Sequence, residues 1–71
     1  METITITTEF IRLQDAMKLA SLTPSGGTAK CIIQDGQVQV NGEICLQRGK
    51  KLRPGDTVAF QGRQYQIAYA P

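Results

Sequence analysis

Histidine is absent from the chain, and the two cysteines, Cys31 and Cys45, do not form a Cys-x-x-Cys spacing. A His-based general base and a usual zinc site therefore cannot be assembled from it. No acid–base pair, activated nucleophile or metal cluster is visible either, so no catalytic residue, metal or cofactor is expected, and an independent enzyme is the least favoured class. Long apolar runs are missing too: none exceeds four residues, against the roughly 20 that a membrane-spanning helix requires. The start, Met1-Glu2-Thr3-Ile4, carries an acid where a secretory signal would carry a basic stretch followed by an apolar one. A cytoplasmic protein with no membrane segment is the expectation. Low-complexity tracts, linkers and internal repeats are lacking as well.

With 41% hydrophobic and 20% charged residues, the composition is that of a folded globular chain. Its 71 residues leave room for one domain, 1–71. A domain of this size buries roughly 60% of its unfolded surface, which makes a deep, walled-off active site hard to build and suits a surface-binding role. Cys31 falls in an apolar helical pattern and Cys45 in an apolar strand pattern, so both are expected as buried free thiols rather than a disulfide.

Residues 3–8 alternate Thr and Ile with period two, the pattern of a half-buried strand. Leu13, Ala16, Met17 and Ala20 then fall on one helical stripe, which predicts a helix from about Arg12 to Leu22. The Thr23-Pro24-Ser25-Gly26-Gly27 segment breaks it. A second helix of about ten residues follows, with Ser25 as N-cap, an apolar face of Ala29, Ile32 and Ile33, and Gly36 as a left-handed C-cap glycine. From Gln37 to Leu46, Asn41-Gly42 between alternating apolar positions predicts a β-hairpin. Pro54-Gly55-Asp56 and Gln61-Gly62 mark turns around Val58 and Phe60, and Tyr65, Ile67 and Tyr69 alternate through a closing strand. Phe10, Phe60, Tyr65 and Tyr69 suit core positions better than base-stacking platforms. The fold class is thus α+β: an N-terminal strand, two short packed helices, then a hairpin and further strands in a small, mostly antiparallel sheet.

Charge is the informative feature. Four of the eight basic residues, Arg48, Lys50, Lys51 and Arg53, crowd into six positions, and no acid occurs between Glu43 and Asp56. Such a run is either a solvated loop or a phosphate-binding one; its place in a glycine-flanked turn, Gly49 to Gly55, after a hairpin makes it ordered positive charge, which a phosphate backbone selects. Ser25-Gly26-Gly27 opens the second helix, where bare N–H groups at the positive end of the helix dipole suit an anion, although a flexible turn explains the glycines equally well. Lys30 adds a cation one turn inside. The segment does not fit GxxxxGK[ST], which excludes a nucleotide-hydrolysing loop. Arg12 is either a surface charge near Glu9 or Asp15 or a further contact, and Lys18 lies well around the helix from it.

Phe10-Ile11-Arg12-Leu13, then Ser25 with Ala29, then the run from Ile32 to Glu43 through Gly36, Val38, Val40, Asn41 and Gly42 resemble the alpha-L RNA-binding motif, the domain of the ribosomal protein S-four type. The segment from Arg48 to Asp56 resembles that family's lysine-rich approach to a Gly-Asp turn. The resemblance covers about residues 10–60. Where the family often has Arg-Leu-Asp and Ser-Arg, this chain has Arg12-Leu13-Gln14 and Ser25-Gly26, a form similar to short stand-alone bacterial members. It implies RNA contact at Arg12, Ser25, Lys30, Arg48, Lys50, Lys51 and Arg53, with Lys30 in place of the usual arginine's charge; Gly26 joins the candidate RNA contacts from the helix-start reading alone.

The expected mechanism is a clamp in which the start of the second helix and the Arg48–Arg53 segment flank one face. A monomer would there hold the phosphates of a structured RNA, ribosomal or transfer RNA among the candidates. The competing readings are a protein-interaction adaptor that uses a strand edge and the basic loop, and an accessory subunit of an RNA-modifying or ribosome-associated assembly.

Overall fold

The computed structural model describes residues 1–22 and 26–71. Along the chain these form β1 (Glu2–Ile6), β2 (Ile11–Arg12), α1 (Leu13–Leu19), α2 (Gly26–Gln34), β3 (Val38–Val40), β4 (Glu43–Ile44), β5 (Lys51–Leu52), β6 (Thr57–Phe60) and β7 (Arg63–Tyr69). Five strands make one sheet in the order β1-β7-β6-β3-β4, and β2 with β5 makes a separate two-stranded one.

The Thr-Ile alternation of β1 turns Ile4 and Ile6 inward and leaves Thr3 and Thr5 exposed. It ends at Ile6 rather than Thr8. Its partner is β7, with Ile4 opposite Ile67, and the pair is parallel, whereas β3 with β4, β3 with β6 and β6 with β7 are antiparallel. A mostly antiparallel sheet is therefore what forms, with one parallel pair at its β1 edge. Period-two patterning fixes which face a residue takes but not the direction of the neighbouring strand, so that pair was not legible in the sequence.

The stripe on α1 buries Leu13, Ala16 and Met17, but the helix stops at Leu19, three residues before the expected Leu22. Ser21 takes a left-handed φ of 60°. Its N–H donates to the Lys18 carbonyl at 3.0 Å and the Leu22 N–H to Met17 at 2.9 Å, the two bonds of a Schellman closure. The same closure ends α2 at Gly36, φ 79°, where Gly36 N–H reaches Ile33 O at 3.1 Å and Gln37 N–H reaches Ile32 O at 3.4 Å.

Helix α2 packs on α1, burying Ala29 and Ile33 with Ile32 half-buried. The N-cap role of Ser25 falls outside the described residues. Cys31 is exposed, against expectation, because the Ala29–Ile33 stripe leaves position 31 on the opposite side of the helix. Cys45 is half-buried, and both thiols are free. Leu13, Met17, Ile33, Leu52, Ile67, Val38 and Val58 form the dry centre of the core. Phe60 and Tyr65 join it, with the Tyr65 hydroxyl buried and unpartnered among the described residues. Tyr69, the last residue of β7, is 53% exposed, and Phe10 is only half-buried, so neither is the core aromatic that its neighbours suggested. The β3–β4 hairpin turns as expected, with Asn41 and Gly42 at φ 52° and 86°, the two positive values that a two-residue turn of this kind demands.

Candidate nucleic-acid interface

The basic stretch is not a loop throughout. Lys51 and Leu52 form β5 and pair antiparallel with β2, setting Ile11 opposite Leu52 and Arg12 opposite Lys51. Leu52 is fully buried and Ile11 packs against the core, so strand alternation sends Arg12 and Lys51 outward together, and both are exposed. Strand β2 has only two residues, too few for any periodicity to reveal it.

The turn before β5 is tied to the start of α1. Leu13 N–H donates to the Lys50 carbonyl at 2.9 Å and Gln14 N–H to the Arg48 carbonyl at 3.0 Å. Arg12 sits at the N-cap and makes no side-chain cap bond; the Arg48–Lys50 backbone satisfies two of the helix's open N–H groups instead. Arg48 and Lys50 are thereby held against the residue that follows Arg12.

The far end of the segment is latched as well. Arg53 N–H donates to Asp56 Oδ2 at 2.8 Å, and Asp56 N–H returns a bond to the Arg53 carbonyl at 2.9 Å. Asp56 Oδ1 accepts from Asn41 Nδ2 at 3.2 Å, while Asn41 Oδ1 accepts from Thr57 N–H at 2.9 Å. The hairpin tip and the Pro54-Gly55 turn are thus one hydrogen-bonded unit. Lys51 Nζ lies 4.9 Å from the centroid of the Phe10 ring, a cation–π contact that orients the cation while leaving it charged. Asn41, Asp56 and Phe10 were read from the sequence as turn formers and a core aromatic; apart from the local Arg53–Asp56 bonds, their positioning roles join residues 15 or more apart, which no local pattern displays.

Arg12, Arg48, Lys50, Lys51 and Arg53 are exposed, and Lys30 is half-buried on α2. Pairing and hydrogen bonds bring the first four together, and Arg53 follows directly after β5. Lys30 has no salt bridge or hydrogen bond tying it to them among the described residues; Gly26 is the first residue of α2, and Ser25 lies outside the described residues. The one salt bridge among the described residues is remote, at the β1–β7 edge, where Arg63 Nη2 meets Glu2 Oε1 at 2.7 Å and Arg63 Nε meets Glu2 Oε2 at 3.0 Å. The hydrogen bonds that Arg63 donates to Glu2, then the Glu2 charge, hold the Arg63 guanidinium above its ordinary pKa. Among the described residues the site's own cations have no salt-bridge partner, so no ion pair there cancels their field. Among the described residues no cluster of three or more His, Cys, Asp or Glu is placed to hold a metal ion, and no helix is long and apolar enough to cross a membrane.

Two short helices leading into a hairpin, with an ordered basic segment against the first helix, constitute a small α+β domain of the alpha-L type. The S4 domain family model matches residues 4–68, and the chain belongs to that family. It is 44% identical over 59 residues, 83% of this chain and 83% of the relative, to the probable ribosome maturation protein RlbA of Bacillus subtilis. Over 57 residues, 80% of this chain and 81% of the relative, it is 37% identical to the putative RNA-binding protein YbcJ of Escherichia coli. The solution structure of E. coli YbcJ, described as revealing an alpha-L motif involved in RNA binding, superposes with a TM-score of 0.72 at 33% identity, covering 96% of this chain and 87% of that one.

Proposed function

We propose that this chain is a non-catalytic, monomeric RNA-binding module that clamps the phosphates of a structured RNA. Arg12, Arg48, Lys50, Lys51 and Arg53 form the main surface, with Lys30, Gly26 at the start of α2 and Ser25, which precedes it in the sequence, as its extension. The observation that carries the proposal is the Arg12–Lys51 pair beside a turn whose carbonyls are bonded into α1. Five cations carried on a hydrogen-bonded frame lose little backbone freedom when phosphates arrive, and phosphate neutralisation supplies most of such affinity. Membership of the S4 family and the description of YbcJ support RNA as the polyanion.

Fluorescence anisotropy with a labelled RNA hairpin tests it: the wild type binds, and K50E/K51E, which touches only exposed side chains, loses affinity while its circular dichroism stays unchanged. Equal affinity of the two proteins would return the segment to a solvated loop. The similarity to a probable ribosome maturation protein favours one refinement, a place as accessory subunit in a ribosome-associated assembly. Pull-down with and without nuclease, followed by sequencing of the bound RNA, separates this from an adaptor that meets protein directly.

A further inference from the structure

Beside the basic segment, at the open edge of the sheet, lies a groove of about 610 Å³ whose lining includes Glu43, Ile44, Cys45, Leu46, Gln47 and Lys50. Strand β4 is the last in the sheet order, so its outer edge has no strand beside it. Ile44 and Leu46 are 63% and 57% exposed and line the groove together, and it is contiguous exposed apolar surface, not single residues, that marks contact sites. Both pass near Gly36: a Cβ there would stand 3.9 Å from Ile44 Cγ2 and 3.9 Å from Leu46 Cδ2.

The groove is continuous with the phosphate-binding surface through Lys50, which lines it while its carbonyl caps α1. Past Lys50 the chemistry changes. Glu43 places a carboxylate there that repels phosphate, and Gln47 adds an amide; neither side chain has a hydrogen-bond partner among the described residues. The Asn41 amide, by contrast, is already engaged with Asp56 and Thr57. The lining thus combines a cation, two aliphatic side chains and a carboxylate, the chemistry that a nucleotide's phosphate, base face and base edge would meet.

We propose that this groove takes the base of one unpaired nucleotide, displaced from a structured RNA whose phosphates lie on Arg48 and Lys50. Guanine is preferred, because its N1–H and N2–H groups donate side by side to the Glu43 carboxylate. The proposal rests on the RNA-binding function above and adds its base-selective element. A protein strand added to the same edge is the competing occupant. Strand β4 offers it only two residues, Glu43–Ile44, a poor template for strand addition, and such an occupant leaves the continuity with Lys50 unused.

The test uses three labelled RNA hairpins with one common stem: fully paired, with a single bulged guanosine, and with a single bulged uridine. Anisotropy with the wild type should show the bulged-guanosine RNA bound at least about fivefold tighter than the paired one, the gain expected from seating one base. I44S/L46S should bring the bulged RNAs to the affinity of the paired one and leave the latter unchanged. E43Q should abolish the preference for guanosine over uridine. Thermal melts confirm that both variants fold, and the wild-type ratios stand even where one does not. Equal wild-type affinity for all three RNAs, with K50E/K51E still defective, overturns the groove proposal alone; no wild-type binding to any of them overturns the RNA-binding function with it.

Discussion

Arg12 and Lys51 stand directly opposite one another across the β2–β5 pair, two like charges on one exposed face. Like charges in that position destabilise a sheet, and opposite charges stabilise it by about 0.2–1 kcal/mol. Stability and RNA binding therefore make opposing demands on this pair. R12E, which sets a carboxylate against Lys51 and near the start of α1, is expected to raise unfolding free energy by about 0.5 kcal/mol while weakening RNA binding. Urea unfolding and anisotropy on the same preparation measure both; loss of stability with unchanged binding would show that the pair is not part of the RNA surface.

Asp56 gives a prediction in which sign alone decides. It is an acid near the basic segment, so removing it raises the local positive potential and, on charge alone, strengthens RNA binding. The hydrogen bonds from Arg53 N–H and Asn41 Nδ2 argue otherwise. D56A should cost about 0.5–1.5 kcal/mol of stability and weaken RNA binding, because the segment loses its latch. Tighter binding by D56A would show that charge outweighs order here.

Ser21 closes α1 in a conformation that an L-residue adopts only at a cost. S21G relieves it and is expected to add about 0.5 kcal/mol, or roughly 2–4 °C in Tm for a domain this size. Scanning calorimetry reads the shift, and a lower Tm would mean that the serine hydroxyl holds the closure.

Tyr65 is 3% exposed and its hydroxyl has no partner among the described residues. A buried, unpaired polar group costs about 1–3 kcal/mol, so Y65F should stabilise the domain by around 1 kcal/mol in urea unfolding. A destabilised Y65F would reveal a hydrogen bond to that hydroxyl.

The sequence carried the architecture wherever a single period ran long enough: Ile4 and Ile6 in β1, the Leu13–Ala16–Met17 stripe, the Asn41-Gly42 hairpin and the Gly36 cap. It carried the basic segment too, because charge clustering is local. What it lacked were relationships between distant positions. The two-residue strand β2, its pairing with Lys51, the carbonyl caps on α1 and the Asn41–Asp56 latch each join segments far apart in the chain. Helix α1 was read too long because Ser21 does what a glycine usually does. Cys31 was placed inside because its apolar neighbours Ile32 and Ile33 masked its angular position, and Phe10 was placed inside although half of its work is to steady Lys51.

The central claim is that several ordered cations neutralise RNA phosphates together, and the salt dependence of binding tests it most directly. With about five contacts, the affinity of the wild type should fall with a log–log slope of roughly 3.5 to 4.5 against salt concentration, and K50E/K51E should lower that slope by roughly 2. A flat salt response in the wild type, or an unchanged slope in the double variant, would contradict the account.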